Sequence, residues 1–143
     1  MLYLEIEGRG PKRTCGKVVR WFKSQYLPRH HLGVTVQHRG LKREKAYGYC
    51  SVQDSDFRPR EFLIELETTM HGDLYIQTLL HELWHMYQHV KGQLRDKRGV
   101  RSWKGINHTK TDYEDQPWEK EARTMEEVLY NDFLIEVSKL SCY

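Results

Sequence analysis

The sequence predicts an α+β fold, a small and mostly antiparallel sheet with helices packed on one of its sides. Three observations carry that expectation. Several short segments have strand composition, the stretch from about Asp73 to Lys91 spaces leucines and aromatics at helical period, and a second helical stretch opens near Gln116-Pro117-Trp118. At 143 residues, with no internal repeat and no Pro/Ser/Gly-rich divider, residues 1–143 fit one domain with a core of its own.

Taken in order, Leu2, Leu4 and Ile6 alternate as in a strand, and Gly8 and Gly10-Pro11 break the pattern. Val18, Val19, Trp21, Phe22 and Tyr26 fall on one face of a helix from about Lys12 to Tyr26, which Pro28 ends. Leu32–His38, Ala46–Val52 and Phe62–Glu67 have strand character, with turns at Arg39-Gly40 and Arg58-Pro59-Arg60. The next helix buries Leu74, Leu79, Leu80, Leu83, Trp84 and Tyr87, and Gly92 stops it. Residues 93–112 are polar, basic and glycine-containing, so they read as an irregular crossing. In the last helix Pro117 suits the first turn, and Glu119 and Glu121 suit the positive end of the helix dipole. Its apolar positions run through Ala122, Met125, Val128, Leu129, Phe133 and Val137.

Apolar residues make up 38% of the chain and charged residues 30%, a globular rather than a disordered composition. No window approaches the ~18 apolar residues that span a bilayer, so no membrane partner is expected. The acidic start Met1-Leu-Tyr-Leu-Glu-Ile-Glu7 is unlike a secretory signal. Cys15, Cys50 and Cys142 are odd in number and widely spaced, which points to neither a disulfide framework nor a thiolate metal site. Together these features predict a cytoplasmic protein. Charge is unevenly spread: residues 1–60 carry 13 Lys/Arg against 5 Asp/Glu, and residues 61–143 carry 10 against 15. A solvated basic face accounts for this bias. Its functional alternative is attraction to a polyanion, either nucleic acid or an acidic protein, through the basic first half.

His81-Glu82-Leu83-Trp84-His85 matches H-E-x-x-H on a helix. Residues four apart project from one face, so both imidazoles can reach one ion at about 2.0–2.1 Å. Glu82, at the edge of that face, is placed to move a proton between water and a leaving amine. Leu83 and Trp84 point away and anchor the helix. A catalytic zinc requires a third protein ligand. His89 lies eight residues beyond His81, about 12 Å along the axis, too far to share the ion. His108, Glu119 and Glu121 are the candidates, and the two glutamates, two residues apart, cannot both face the metal.

The motif and the run Pro117-Trp-Glu-Lys-Glu-Ala122 together resemble the gluzincin group of zinc peptidases. Within it, residues 60–125 are similar to small phage and bacterial SprT-like and ImmA/IrrE-like metallopeptidases. Several such families open the third-ligand helix with Glu-x-x-Ala, and Glu119-Lys-Glu-Ala122 reproduces that pattern. Trp103-Lys-Gly105 and Tyr113 also resemble phage-encoded members. The resemblance implies a minimal zincin-like core and a Zn2+ held by His81, His85 and Glu119. It further implies Glu82 as the catalytic base and acid, a protein or peptide substrate, and a host-cytoplasm location if the chain is phage-encoded. It also implies that Phe62–Glu67 is an edge strand that pairs with an extended substrate. The downstream histidine of SprT proper, in an HGxxF-like context, has no counterpart here, so the crosslink-protease role of those proteins is not carried over.

Tyr113 is a candidate donor to the oxyanion of peptide hydrolysis, or a packing residue at the helix start. Trp21, Trp84 and Trp118 are expected in the core. Arg95, Lys97, Arg98, Arg101 and Lys104 form a solvated loop that, beside the metal helix, also suits guidance of an acidic substrate. A zinc-stabilised DNA- or protein-binding module without turnover is the rival reading, and a metal-free protein with two surface histidines is a second.

Overall fold

The computed structural model describes residues 1–55 and 57–141; Cys142 lies outside them. Strands β1 (Leu2–Glu7), β2 (Leu32–His38), β3 (Gly48–Val52) and β4 (Glu61–Leu66) form one sheet in the order β1-β2-β4-β3. Helices α1 (Lys12–Tyr26) and α2 (Gly72–Val90) interleave with them, and α3 (Pro117–Ser141) closes the chain. The class is therefore mixed α and β, in keeping with α+β.

The sheet is not mostly antiparallel. β1 pairs with β2 and β2 with β4 in parallel, and only β3 runs against β4. The reason is the crossover: α1 carries the chain back to the start of the sheet, so β2 must run alongside β1. A second expectation fails with it. The segment Phe62–Glu67 is not an edge; β4 sits between β2 and β3, with Phe62, Ile64 and Leu66 buried. The edges are β1 and β3, and β3 is half-buried along its whole length.

One sheet face carries the core. Leu2, Leu4 and Ile6 of β1, Val34 and Val36 of β2, and Phe62, Ile64 and Leu66 of β4 meet Val18, Val19 and Phe22 of α1 and Leu79, Leu80, Leu83 and Met86 of α2. Each large side chain buried there contributes about 1.5–3 kcal/mol by transfer from water. Tyr3, Glu5 and Glu7 alternate out to solvent on the other face. α3 adds Ala122, Leu129 and Phe133 to the core, where the Trp21 ring meets Phe133 edge-on at 5.4 Å. Trp84 packs among Phe22, Tyr26 and Tyr87, while Leu74, expected on the apolar face of α2, is 45% exposed.

Residues 93–112 are not an irregular crossing. β5 (Leu94–Lys97), β6 (Val100–Trp103) and β7 (Ile106–Asn107) form a three-stranded antiparallel sheet. Two-residue turns connect them, Arg98-Gly99 (φ 52° and 79°) and Lys104-Gly105 (φ 49° and 86°). Positive φ at both central positions matches the right-handed twist of tight hairpins. Leu94 and Trp103 enclose Trp118 in a small core of their own. Among the described residues no helix is long and apolar enough to cross a membrane.

Candidate metal centre

α2 is the central helix, flanked by the sheet, α1 and α3, and most of its side chains from Tyr75 to His89 are buried. It therefore presents His81, Glu82 and His85 to an enclosed space rather than to open solvent. α3 enters beside it through a 3-10 turn at Tyr113–Asp115, and Pro117 at its first position places Glu119 in the first turn. Among the described residues, His81, His85 and Glu119 are the group whose potential ligand atoms all lie within 4.8 Å of one another. His85 Nε2 is 2.6 Å from Glu119 Oε1, and His81 Nε2 is 3.4 Å from Glu119 Oε2.

Both imidazoles are oriented from behind. His81 Nδ1 lies 3.1 Å from Glu126 Oε2, and a carboxylate can only accept, so Nδ1 carries the proton. His85 Nδ1 lies 2.8 Å from Gln88 Oε1. The Gln88 amide cannot be reversed, because its nitrogen donates to the Trp118 carbonyl (3.0 Å) and to Glu121 Oε1 (3.3 Å). His85 Nδ1 is then also a donor. Both Nε2 atoms are turned toward the Glu119 carboxylate, and with each Nδ1–H held from behind, Nε2 is the nitrogen from which a metal would displace a proton.

Glu121 is excluded from the cluster by its own bonds. It accepts from Trp84 Nε1 at 2.8 Å and from Gln88, pinning α3 to α2. His108 is also elsewhere: its Nδ1 pairs with Thr111 Oγ1 at 2.9 Å and its ring meets Trp118 edge-on. His89 is 4% exposed and packs on Phe62; burial first, with Arg101 and His85 adding to it, holds its pKa down to about 4 against the pull of Asp96.

Three carboxylates, those of Glu82, Glu119 and Glu126, surround the two imidazoles. Burial disfavours a charged His81, but Glu119, Glu126 and Glu82 outweigh it and push its pKa up to about 10. Burial also opposes the Glu119 charge, yet bonds to His81 and His85 hold its pKa far below the usual carboxylate range. For Glu82 burial dominates and raises the pKa, against the pull of His85 and His81. A divalent cation could take the place of the proton that His81 holds here, and two nitrogens with one carboxylate oxygen are a donor set able to hold such an ion.

The cluster lines a cleft of about 650 Å³. One wall is the edge strand β3, and Tyr113 stands at the rim, 62% exposed, donating to Glu119 Oε2 at 3.3 Å. A Cβ on Gly48 would come within 3.1 Å of Glu82 Cγ and 3.0 Å of the Glu65 carbonyl, so glycine lets β3 lie directly over the glutamate. Gln53 and Glu67 bond across to Glu61 and Tyr47, and the β3–β4 register alternates from there. Tyr49 and Ser51 therefore bond to β4, while the backbone groups of Gly48, Cys50 and Val52 face outward from the sheet.

The structure thus brings together His81, His85, Glu119 and Glu82 and separates Glu121 and His108 from them. Sequence reasoning missed Glu126, Gln88 and Gly48. Glu126 had a signal, since it lies seven residues, or two turns, from Glu119 and so shares its face. Compared with protein families, curated proteins and solved structures, this chain matches none.

Proposed function

We propose that the protein is a zinc-dependent hydrolase that cleaves peptide bonds. The observation that carries this reading is the convergence of His81 Nε2, His85 Nε2 and the Glu119 carboxylate beside Glu82, in a cleft walled by an open strand edge. Those three side chains would hold the ion. When bound, zinc supplies polarisation of a carbonyl and acidification of water.

The chain's own groups do the rest. An extended peptide lying along β3 meets the outward backbone groups of Gly48, Cys50 and Val52, which fix it without regard to its side chains. Glu82, buried and raised in pKa, accepts a proton from the attacking water as oxygen bonds to the carbonyl carbon. It returns that proton to the amide nitrogen as the C–N bond breaks, so the products are a carboxylic acid and an amine. Tyr113 and Glu126 hold Glu119 and His81 in place.

The test is metal analysis and peptide turnover of untagged protein and E82Q. One zinc per chain in both, with turnover reduced about 10²–10⁴-fold in E82Q, is expected. Undiminished turnover in E82Q, or wild-type protein that binds no zinc, sinks the proposal.

A further inference from the structure

The cleft does not end at the histidine cluster. Past Cys50 it reaches Arg101, and past Leu94 and His89, which line both spaces, it meets a second hollow of about 290 Å³ that contains Val52. A strand laid along β3 from Gly48 therefore runs from Glu82 into this hollow within four residues, ~13 Å at strand rise.

The hollow is basic. Arg58, Arg60, Lys91 and Arg95 line it, and among the described residues none of the four forms an ion pair with a carboxylate. Arg60 Nη1 is bonded to the Pro59 carbonyl and Arg95 Nε to the Gly92 carbonyl, which fixes both heads while leaving their charge uncompensated. Among the described residues that line the hollow the acid is Asp96, and it is occupied by Arg101 through two bonds of 2.6 and 2.7 Å. Asp54, on the connection from β3, accepts the backbone N–H groups of Arg60 and Glu61. Arg101 in turn lies 5.4 Å over the Trp118 ring, its Nη1 free of any bond to a described residue. His30 registers the same field: burial, then Lys91, Arg60 and Lys23, hold its pKa below the ordinary value. At the other end of the path the lining carries Glu44, Glu82, Glu119 and Glu126, with Lys45 among them.

We infer that the substrate is an acidic peptide segment, bound along β3 with Asp or Glu side chains on one side of the scissile bond, in the basic hollow beyond Arg101. Such a peptide finds the larger counter-charge at one end of the path, so charge sets its direction along an edge whose backbone bonds are indifferent to sequence. This rests on the peptidase reading for the path of the chain, but its test is a binding measurement that stands without turnover.

Zinc-loaded E82Q is titrated by calorimetry with capped peptides carrying three Glu on the N-terminal or on the C-terminal side of a central Leu-Leu bond, and with their Gln counterparts. One of the two Glu peptides is expected to bind about tenfold or more tighter than its Gln counterpart. That advantage vanishes in about 0.5 M NaCl and in a correctly folded R58Q/R60Q/R95Q variant, whose affinity for the Gln peptides is unchanged. Equal binding of Glu and Gln peptides, or an advantage that survives the triple substitution, overturns the inference. So does oligothymidylate binding more tightly than either acidic peptide and losing affinity in the same variant, which would assign the hollow to nucleic acid. Preferential binding of an acidic peptide that wild-type protein never cleaves would leave the hollow as an acidic-peptide site and remove the peptidase reading.

Discussion

The geometry at His81 and His85 depends on residues that never touch the ion they would hold. Glu126 and Gln88 fix the two Nδ1–H groups, and Gln88 is itself fixed by the Trp118 carbonyl and Glu121. Releasing either ring costs orientation rather than a ligand. E126Q and Q88A are therefore expected to keep one zinc per chain while weakening its affinity about 10–100-fold, measured by chelator competition. An affinity equal to that of wild type in both variants would show that the rings hold their orientation unaided. Glu82 is constrained from above: Gly48 gives it clearance that alanine would remove, because the Glu65 backbone carbonyl, also at 3.0 Å, cannot yield as a flexible side chain would.

At the level of elements, what was legible in the sequence tracks how local each signal is. α2 and the start of α3 were readable because their apolar positions repeat at helical period and Pro117 and Gly92 mark their limits. The order of the sheet was not, since β4 inserts between β2 and β3 and no pattern within Phe62–Leu66 distinguishes a middle strand from an edge. The β5–β7 sheet was hidden because its strands are only two to four residues long, two of them carry charges, and its turns are Arg-Gly and Lys-Gly rather than the Asn-Gly or Asp-Gly that usually announce a hairpin. The candidate metal set was half legible: four-residue spacing singles out the histidines, but only packing separates Glu119, turned to them, from Glu121, bonded to Trp84. The hairpins give their own test. Gly99 and Gly105 hold φ of 79° and 86°, so G99A and G105A are each expected to lower stability by about 1–2 kcal/mol in urea unfolding. Loss of less than a few tenths would mean that the turns re-form without positive φ.

Across the whole molecule, one buried carboxylate ties the connections together. Glu67 accepts the backbone N–H groups of Leu41 and Thr69, both at 2.8 Å, and the Thr69 hydroxyl, joining the segment after β2 to the one before α2. The Thr69 hydroxyl, then the Leu41 and Thr69 N–H groups, hold its pKa down to about 2. A carboxylate depressed on folding stabilises the native state fully above its unfolded pKa, roughly 4.3. That contribution is lost as pH falls through the folded value. The difference in urea midpoint between wild type and E67Q is accordingly expected to be constant from pH 7 to about 5 and to shrink between about 4.5 and 2. A gap that does not change with pH would mean that the Glu67 charge is not what braces these segments.

The outward amides of β3 also bear on the company the protein keeps with itself. A sheet left open at one side accepts whichever strand arrives first, and guarded edges usually carry charges or proline within the strand. Gly48-Tyr-Cys-Ser-Val52 carries neither; Lys45 and Asp54 stand only to either side of it. On the proposed reading, substrate and a neighbouring copy would compete for one seam, so self-pairing would act as inhibition and an occupied cleft would keep crowded molecules apart.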